Sequence, residues 1–126
     1  MIQNIDINTI QELPTRREVE TREITLKNGM NISISIGYLV SNPAKPVEVF
    51  VDSGFKEGAE MKFLAQDACI LISTLLRVGV APEVIAKMSS KVSENILGKV
   101  QDVHGSMIGI IIAQLLIPRL GYEGEV

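Results

Sequence analysis

Between its third apolar segment and a long stretch of helical periodicity, the chain sets two glycines around an aromatic ring and a cation, Gly54-Phe55-Lys56-Glu57-Gly58. A loop that leads a strand into a helix presents unpaired N–H groups and the positive end of the helix dipole, which attract an anion. Gly58 and Ala59 are expected to offer those N–H groups, Lys56 a charge, and Phe55 a face on which a base or other ring stacks. The GxxxxGK[ST] spacing of a P-loop is absent, so a plain turn with a surface lysine accounts for the same residues. His104-Gly105-Ser106 is a second helix start of this kind, with Ser106 as N-cap and His104 where an anion could meet an imidazole. Capping alone explains Ser106, and a lone histidine is more often a surface or partly satisfied side chain.

Nucleophilic and acid–base catalysis need a nucleophile with a base beside it. The chain has one histidine and one cysteine, on unrelated segments. Cys69 lies between Ala68 and Ile70, as a buried, inert thiol would. A single cysteine excludes an intrachain disulfide and a multi-cysteine zinc site. The one group of carboxylates is Asp52, Glu57, Glu60 and Asp67. Glu60 and Asp67 stand two helical turns apart, about 10 Å, too far to share an ion. Solvated charges that complement a helix dipole explain them. No catalytic residue, metal or cofactor is expected, and the chain reads as a binding protein, not an enzyme.

With 126 residues the chain fits one domain. Twelve basic and 15 acidic residues give a net charge of −3, and only Arg16 and Arg17 stand together among the basic residues. A nucleic-acid backbone needs many Lys and Arg contacts, so DNA and RNA are not expected partners. A small phosphate ester needs one or two cations and stays open. The N-terminus lacks the blocks of a signal peptide, and the longest apolar run, Met107 to Ile117, is interrupted by Gln114 and spans about half a bilayer. No membrane partner is expected, and the expected location is the cytoplasm.

The elements that must position these residues follow from periodicity. Residues 1–17 are polar, contain Pro14, and read as an arm; residues 18–126 read as a single α+β ligand-binding domain. Glu18 to Lys27, the turn Asn28-Gly29, and Met30 to Val40 form a hairpin, with Ile32, Ile34 and Ile36 on one face and Asn31, Ser33 and Ser35 on a wet one. Val47, Val49 and Val51 mark a third strand of an antiparallel meander. A helix over about 59–78 carries the stripe Met61, Leu64, Ala65, Ala68, Leu71, Ile72, Leu75 and Leu76. Pro82 opens a short helix, residues 89–103 read as irregular, and a second long helix runs from Ser106 to Ile117 before Pro118. That last helix has almost no polar side. One three-stranded sheet and one long helix do not cover it all round, so burial between subunits is expected, as a dimer or larger homo-oligomer.

Glu48-Val49-Phe50, Gly54/Gly58/Ala59, Leu71-Ile72-Ser73, Leu76-Arg77-Val78-Gly79-Val80 and Glu83/Ile85 together resemble the TSCPD domain, over roughly residues 30–88. That domain ends many vitamin-B12-dependent ribonucleotide reductases and also stands alone. The resemblance implies a retained scaffold, with an accessory or regulatory role on a reductase through protein contact as one function. The cysteine, proline and aspartate that open the family's last helix would fall near Gly105 to Gly109, and none of them is there. In size and layout the chain is also similar to phage-encoded sponges, which sequester cyclic nucleotide signals of Thoeris and CBASS defence. That similarity implies capture of a phosphorylated, nucleotide-type ligand in the host cytosol.

Overall fold

The computed structural model describes residues 18–56 and 58–122. The expected arm over residues 1–17 lies outside them, as does Glu57. Strands β1 (Glu18–Thr25), β2 (Asn31–Tyr38) and β3 (Pro46–Ser53) form the expected antiparallel meander, in the order β1-β2-β3. Asn28 Oδ1 accepts the Met30 N–H at 2.9 Å to tighten the first turn. Ile32, Ile34 and Ile36 are at most 1% exposed and floor the core. The other face is wet only in part, a correction to the expected alternation. Ser33 is buried, and Glu48, 2% exposed, lies over Gly37, where a Cβ would come 2.6 Å from Glu48 Cγ.

Helix α1 (Glu60–Arg77) lies along β3. Its buried face is Ala65, Cys69, Ile72, Ser73 and Leu76. Ala65, Ile72 and Leu76 of the expected stripe are therefore buried, but the buried face lies to one side of that stripe, and Met61, Leu64 and Leu71 are 44–66% exposed. The cause is polar. Ser73 and Cys69, one turn apart, hydrogen-bond the Val49 and Val51 backbone of β3. Apolar residues occupy so much of this helix's circumference that hydropathy alone does not choose the face.

Helix α2 (Pro82–Ala86) starts on proline as expected and buries Ile85. The segment read as irregular is a hairpin, β4 (Lys91–Ile96) and β5 (Lys99–His104), forming a second sheet. Its polar composition hides the alternation, but the two-residue Leu97-Gly98 turn sets the register Ile96↔Lys99. Helix α3 (Met107–Gln114) is shorter than expected. After Gln114 the chain tightens into three-residue turns, with the Leu116 and Ile117 N–H groups bonding the Ala113 and Gln114 carbonyls. Its cover within the chain is also fuller than its composition suggested. Ile111, Ile112 and Leu115 are buried against α1, α2 and the sheet isoleucines, and only Leu116 and Ile117 are exposed. The overall class is α+β. Among the described residues no helix is long and apolar enough to cross a membrane.

Candidate functional site

The loop before α1 is built by its glycines. Gly54 has φ +119°, and a Cβ there would meet the Asn31 carbonyl oxygen at 2.5 Å, so this residue serves the approach of the loop to β2. Gly58 has φ +78° with open space around it, which leaves its backbone accessible. The Ala59 N–H is already bonded to the Lys56 carbonyl at 3.0 Å, and Ala59 as N-cap supplies no side-chain bond. Lys56 is exposed, whereas Phe55 is half-buried and packs against the core. The loop thus offers Lys56 and Gly58 to a ligand, while Phe55 is engaged from below.

At the second helix start Ser106 caps α3 as expected, its Oγ accepting the Gly109 N–H at 3.1 Å. His104 leans on the same turn: a Cβ on Gly109 would come 3.2 Å from His104 Nδ1. That nitrogen is buried and has no hydrogen-bond partner, so this edge of the ring packs against α3. Among the described residues no group of three His, Cys, Asp or Glu side chains is placed to hold a metal. Cys69 is 2% exposed, and burial pushes its thiol up to about 11, against the opposing Val51 backbone bond.

A cavity of about 440 Å³ lies elsewhere, between the β2–β3 connection, the start of α2 and the segment after α3. None of Phe55, Lys56, Gly58, Ala59, His104 or Ser106 lines it. Gly54 sits by Ile32, whereas Tyr38 lines the cavity, six residues along β2, or about 20 Å at 3.3 Å per residue. The cavity walls are apolar at Pro46, Pro82, Leu115 and Ile117, and polar at Asn42, Lys45, Glu83 and Arg119. Arg119 lies between two rings, 5.0 Å from the Tyr38 centroid and 4.8 Å from that of Tyr122. It also pairs with Glu18 and donates to the Pro43 carbonyl at 3.1 Å. Lys45 is exposed and lines the cavity, with no ion-pair partner among the described residues.

Strand β1 holds the segment that makes this wall. Arg22 donates to the Gln114 carbonyl at 2.6 Å, the Ile117 carbonyl at 3.0 Å and Tyr38 Oη at 3.2 Å, so a guanidinium closes the C-terminal end of α3 where carbonyls lack partners. Glu20 accepts from the Leu120 N–H at 2.9 Å and from Arg22 at 2.7 Å. Burial alone would raise the Glu20 carboxyl, but the Leu120 N–H, Arg22 and Tyr38 outweigh it and bring it below the ordinary value. For Tyr38, burial dominates and raises the phenol. Residues 18, 20 and 22 point to one face by strand alternation. That run of charges on a core-facing register was the available signal for this site, and it reads from sequence as a solvated strand.

The arrangement suits a small molecule with an apolar or ring portion inside and an anionic group at the Lys45 rim. A cavity of a few hundred cubic ångströms with few polar groups is the usual form of a small-ligand site. No curated protein and no solved structure matches the chain at a significant level. The family comparison matches residues 6–116 to the TSCPD domain, a span that takes in both sheets and all three helices but stops before Arg119 and Tyr122. With most of its length so matched, the chain belongs to the TSCPD domain family.

Proposed function

We propose that this TSCPD-family chain is a non-catalytic binding protein that captures a small phosphorylated, nucleotide-type ligand in the cytoplasm. The observation that carries this reading is the cavity beside Tyr38, where Lys45, without an ion-pair partner among the described residues, and the ring-stacked Arg119 border apolar walls. A phosphate fits the Lys45 rim, and a base fits against the apolar wall, with the Glu83 carboxylate available to accept from an amino group or a ribose hydroxyl. The loop at Lys56 and Gly58 is a second place for a phosphate, open but with one N–H already used. Sequestration of cyclic nucleotide immune signals by a phage sponge is the sharpest form of this function. Non-enzymatic action agrees with a buried thiol and a histidine whose Nδ1 packs on α3.

Family membership favours a second reading, an accessory domain that acts on a ribonucleotide reductase through protein contact. Extraction of the purified protein and mass spectrometry of what it releases separates the two. Recovery of an intact nucleotide supports capture. An empty protein that binds a reductase and no nucleotide supports the accessory role.

A further inference from the structure

The charges that border the cavity beside Tyr38 are not all available to a ligand. Arg119 pairs with Glu18, donates to the Pro43 carbonyl at 3.1 Å, and lies 5.0 and 4.8 Å from the Tyr38 and Tyr122 ring centroids. Its charge is already matched, and it serves to hold the wall. Lys45 and Glu83 also line the cavity, are exposed, and have no ion-pair partner among the described residues. One cation and one carboxylate are thus left to meet a ligand.

The turn between β2 and β3 fixes the backbone of that cation. The Lys45 N–H bonds the Asn42 carbonyl at 2.9 Å, and the Lys45 carbonyl accepts the Leu39 N–H at 3.2 Å. Glu83 stands in the first turn of α2, next to Pro82, which also lines the cavity. A single ammonium matches a single negative charge. A second phosphate, or a doubly ionised one, finds no further cation and meets Glu83 as a like charge. At neutral pH a terminal phosphate carries about 1.5 to 2 negative charges, whereas a phosphodiester carries only one. Size points the same way. The cavity, about 440 Å³, lies toward the small end of the roughly 300–1,000 Å³ usual for small-ligand pockets. It has room for one base, one sugar and one phosphate, but not for a ring of two nucleotides.

We propose that the ligand of this cavity is a nucleoside cyclic monophosphate, a single nucleotide whose phosphate is a singly charged diester, with Lys45 on the phosphate and Glu83 rejecting ligands of higher charge. This rests on the reading of the chain as a capture protein and narrows that reading to one class of ligand.

Equilibrium dialysis of the full chain tests it, with the cyclic monophosphate, linear monophosphate and triphosphate of each common ribonucleoside and a cyclic dinucleotide. At pH 8 one cyclic monophosphate should bind at least about fivefold tighter than its linear counterpart, and tighter still than the triphosphate or the cyclic dinucleotide. The linear monophosphate loses its second charge near pH 6, so at about pH 5 its affinity should approach that of the cyclic form. A titration within the protein moves both ligands alike, so their ratio reports the phosphate charge. Lys45→Ala should weaken the cyclic monophosphate roughly tenfold. Glu83→Gln should improve the linear monophosphate and the triphosphate by roughly threefold relative to the cyclic form, a change of selectivity that a merely structural role does not produce. Tightest binding by a triphosphate, a linear monophosphate or the cyclic dinucleotide would overturn this inference and leave capture standing. So would indifference to Lys45→Ala, or a selectivity that neither pH nor Glu83→Gln moves. No binding by any of these compounds would overturn capture as well.

Discussion

The Ser73 hydroxyl meets both backbone groups that Val49 turns away from β2: Oγ accepts the Val49 N–H at 3.0 Å and donates to its carbonyl at 3.2 Å. β3 ends the main sheet, and an open edge invites pairing with another chain. One side chain of α1 thereby closes that edge and sets the rotation of the helix. Ser73→Ala leaves two buried backbone groups without a partner, a cost of about 1–3 kcal/mol. Urea unfolding should show the midpoint falling by that amount with an unchanged slope. A variant as stable as wild type would remove Ser73 from this role.

Arg22 is expected to matter as much at the other end of the sheet. It bonds the Gln114 and Ile117 carbonyls and, at 3.4 Å, the Pro118 carbonyl. Arg22→Ala should free residues 115–122, which have no helix or strand of their own to hold them. Hydrogen exchange should speed up at the Leu120 amide and at the end of α3 while the β3–α1 amides keep their protection. Uniform acceleration across the chain would mean global destabilisation instead.

Glu20 gives the same latch an acid dependence. Its carboxyl is lower in the folded chain than when unfolded. The stabilisation is therefore present above the ordinary carboxylate value and lost as pH falls through the folded value. Thermal stability should drop on acidification, and Glu20→Gln should flatten that part of the profile. An unchanged slope in the variant would contradict the assignment.

The thiol behaves in the opposite sense. With Cys69 pushed up to about 11, only about one molecule in a thousand is thiolate at pH 8. A thiol-reactive dye should label the native protein slowly and the urea-unfolded protein fast. Because the folded chain holds the proton more tightly, stability should also fall as pH rises past the ordinary thiol range toward 11. Rapid native labelling at pH 8 would place the sulfur at the surface.

The meander and α1 were legible because their signals are local. Asn28-Gly29 permits one kind of turn, Ile32, Ile34 and Ile36 alternate over a buried floor, and the period changes once after Gly54. The face of α1 was legible in part, at Ala65, Ile72 and Leu76; its side toward Cys69 and Ser73 was not, since those two bond a strand some 20 residues earlier, and no local pattern encodes that. The β4–β5 hairpin was missed because its strands carry Lys, Ser, Glu, Asn, Gln and Asp among few apolar residues, and its turn holds a leucine where glycine or asparagine is usual. The loop at Lys56 and the cap at Ser106 were readable as helix starts. The cavity was not, because it is assembled from Tyr38, Lys45, Glu83 and Arg119, far apart in the chain and joined by the latch at Glu20 and Arg22.

Calorimetry with a panel of linear and cyclic nucleotides, run on the wild type, Lys45→Ala, Lys56→Ala and Arg119→Ala, tests the claim of capture most directly. At least one nucleotide should bind and be recovered unchanged. Lys45→Ala should weaken it by roughly tenfold, the loss of one charge-assisted hydrogen bond of about 1.5 kcal/mol. Lys56→Ala should have little effect if the cavity is the seat, and Arg119→Ala should weaken binding together with the order of residues 115–122. Binding that Lys56→Ala abolishes and Lys45→Ala leaves intact would move the site to the loop before α1. Absence of binding by every member of the panel, or conversion of a bound nucleotide, would contradict capture itself.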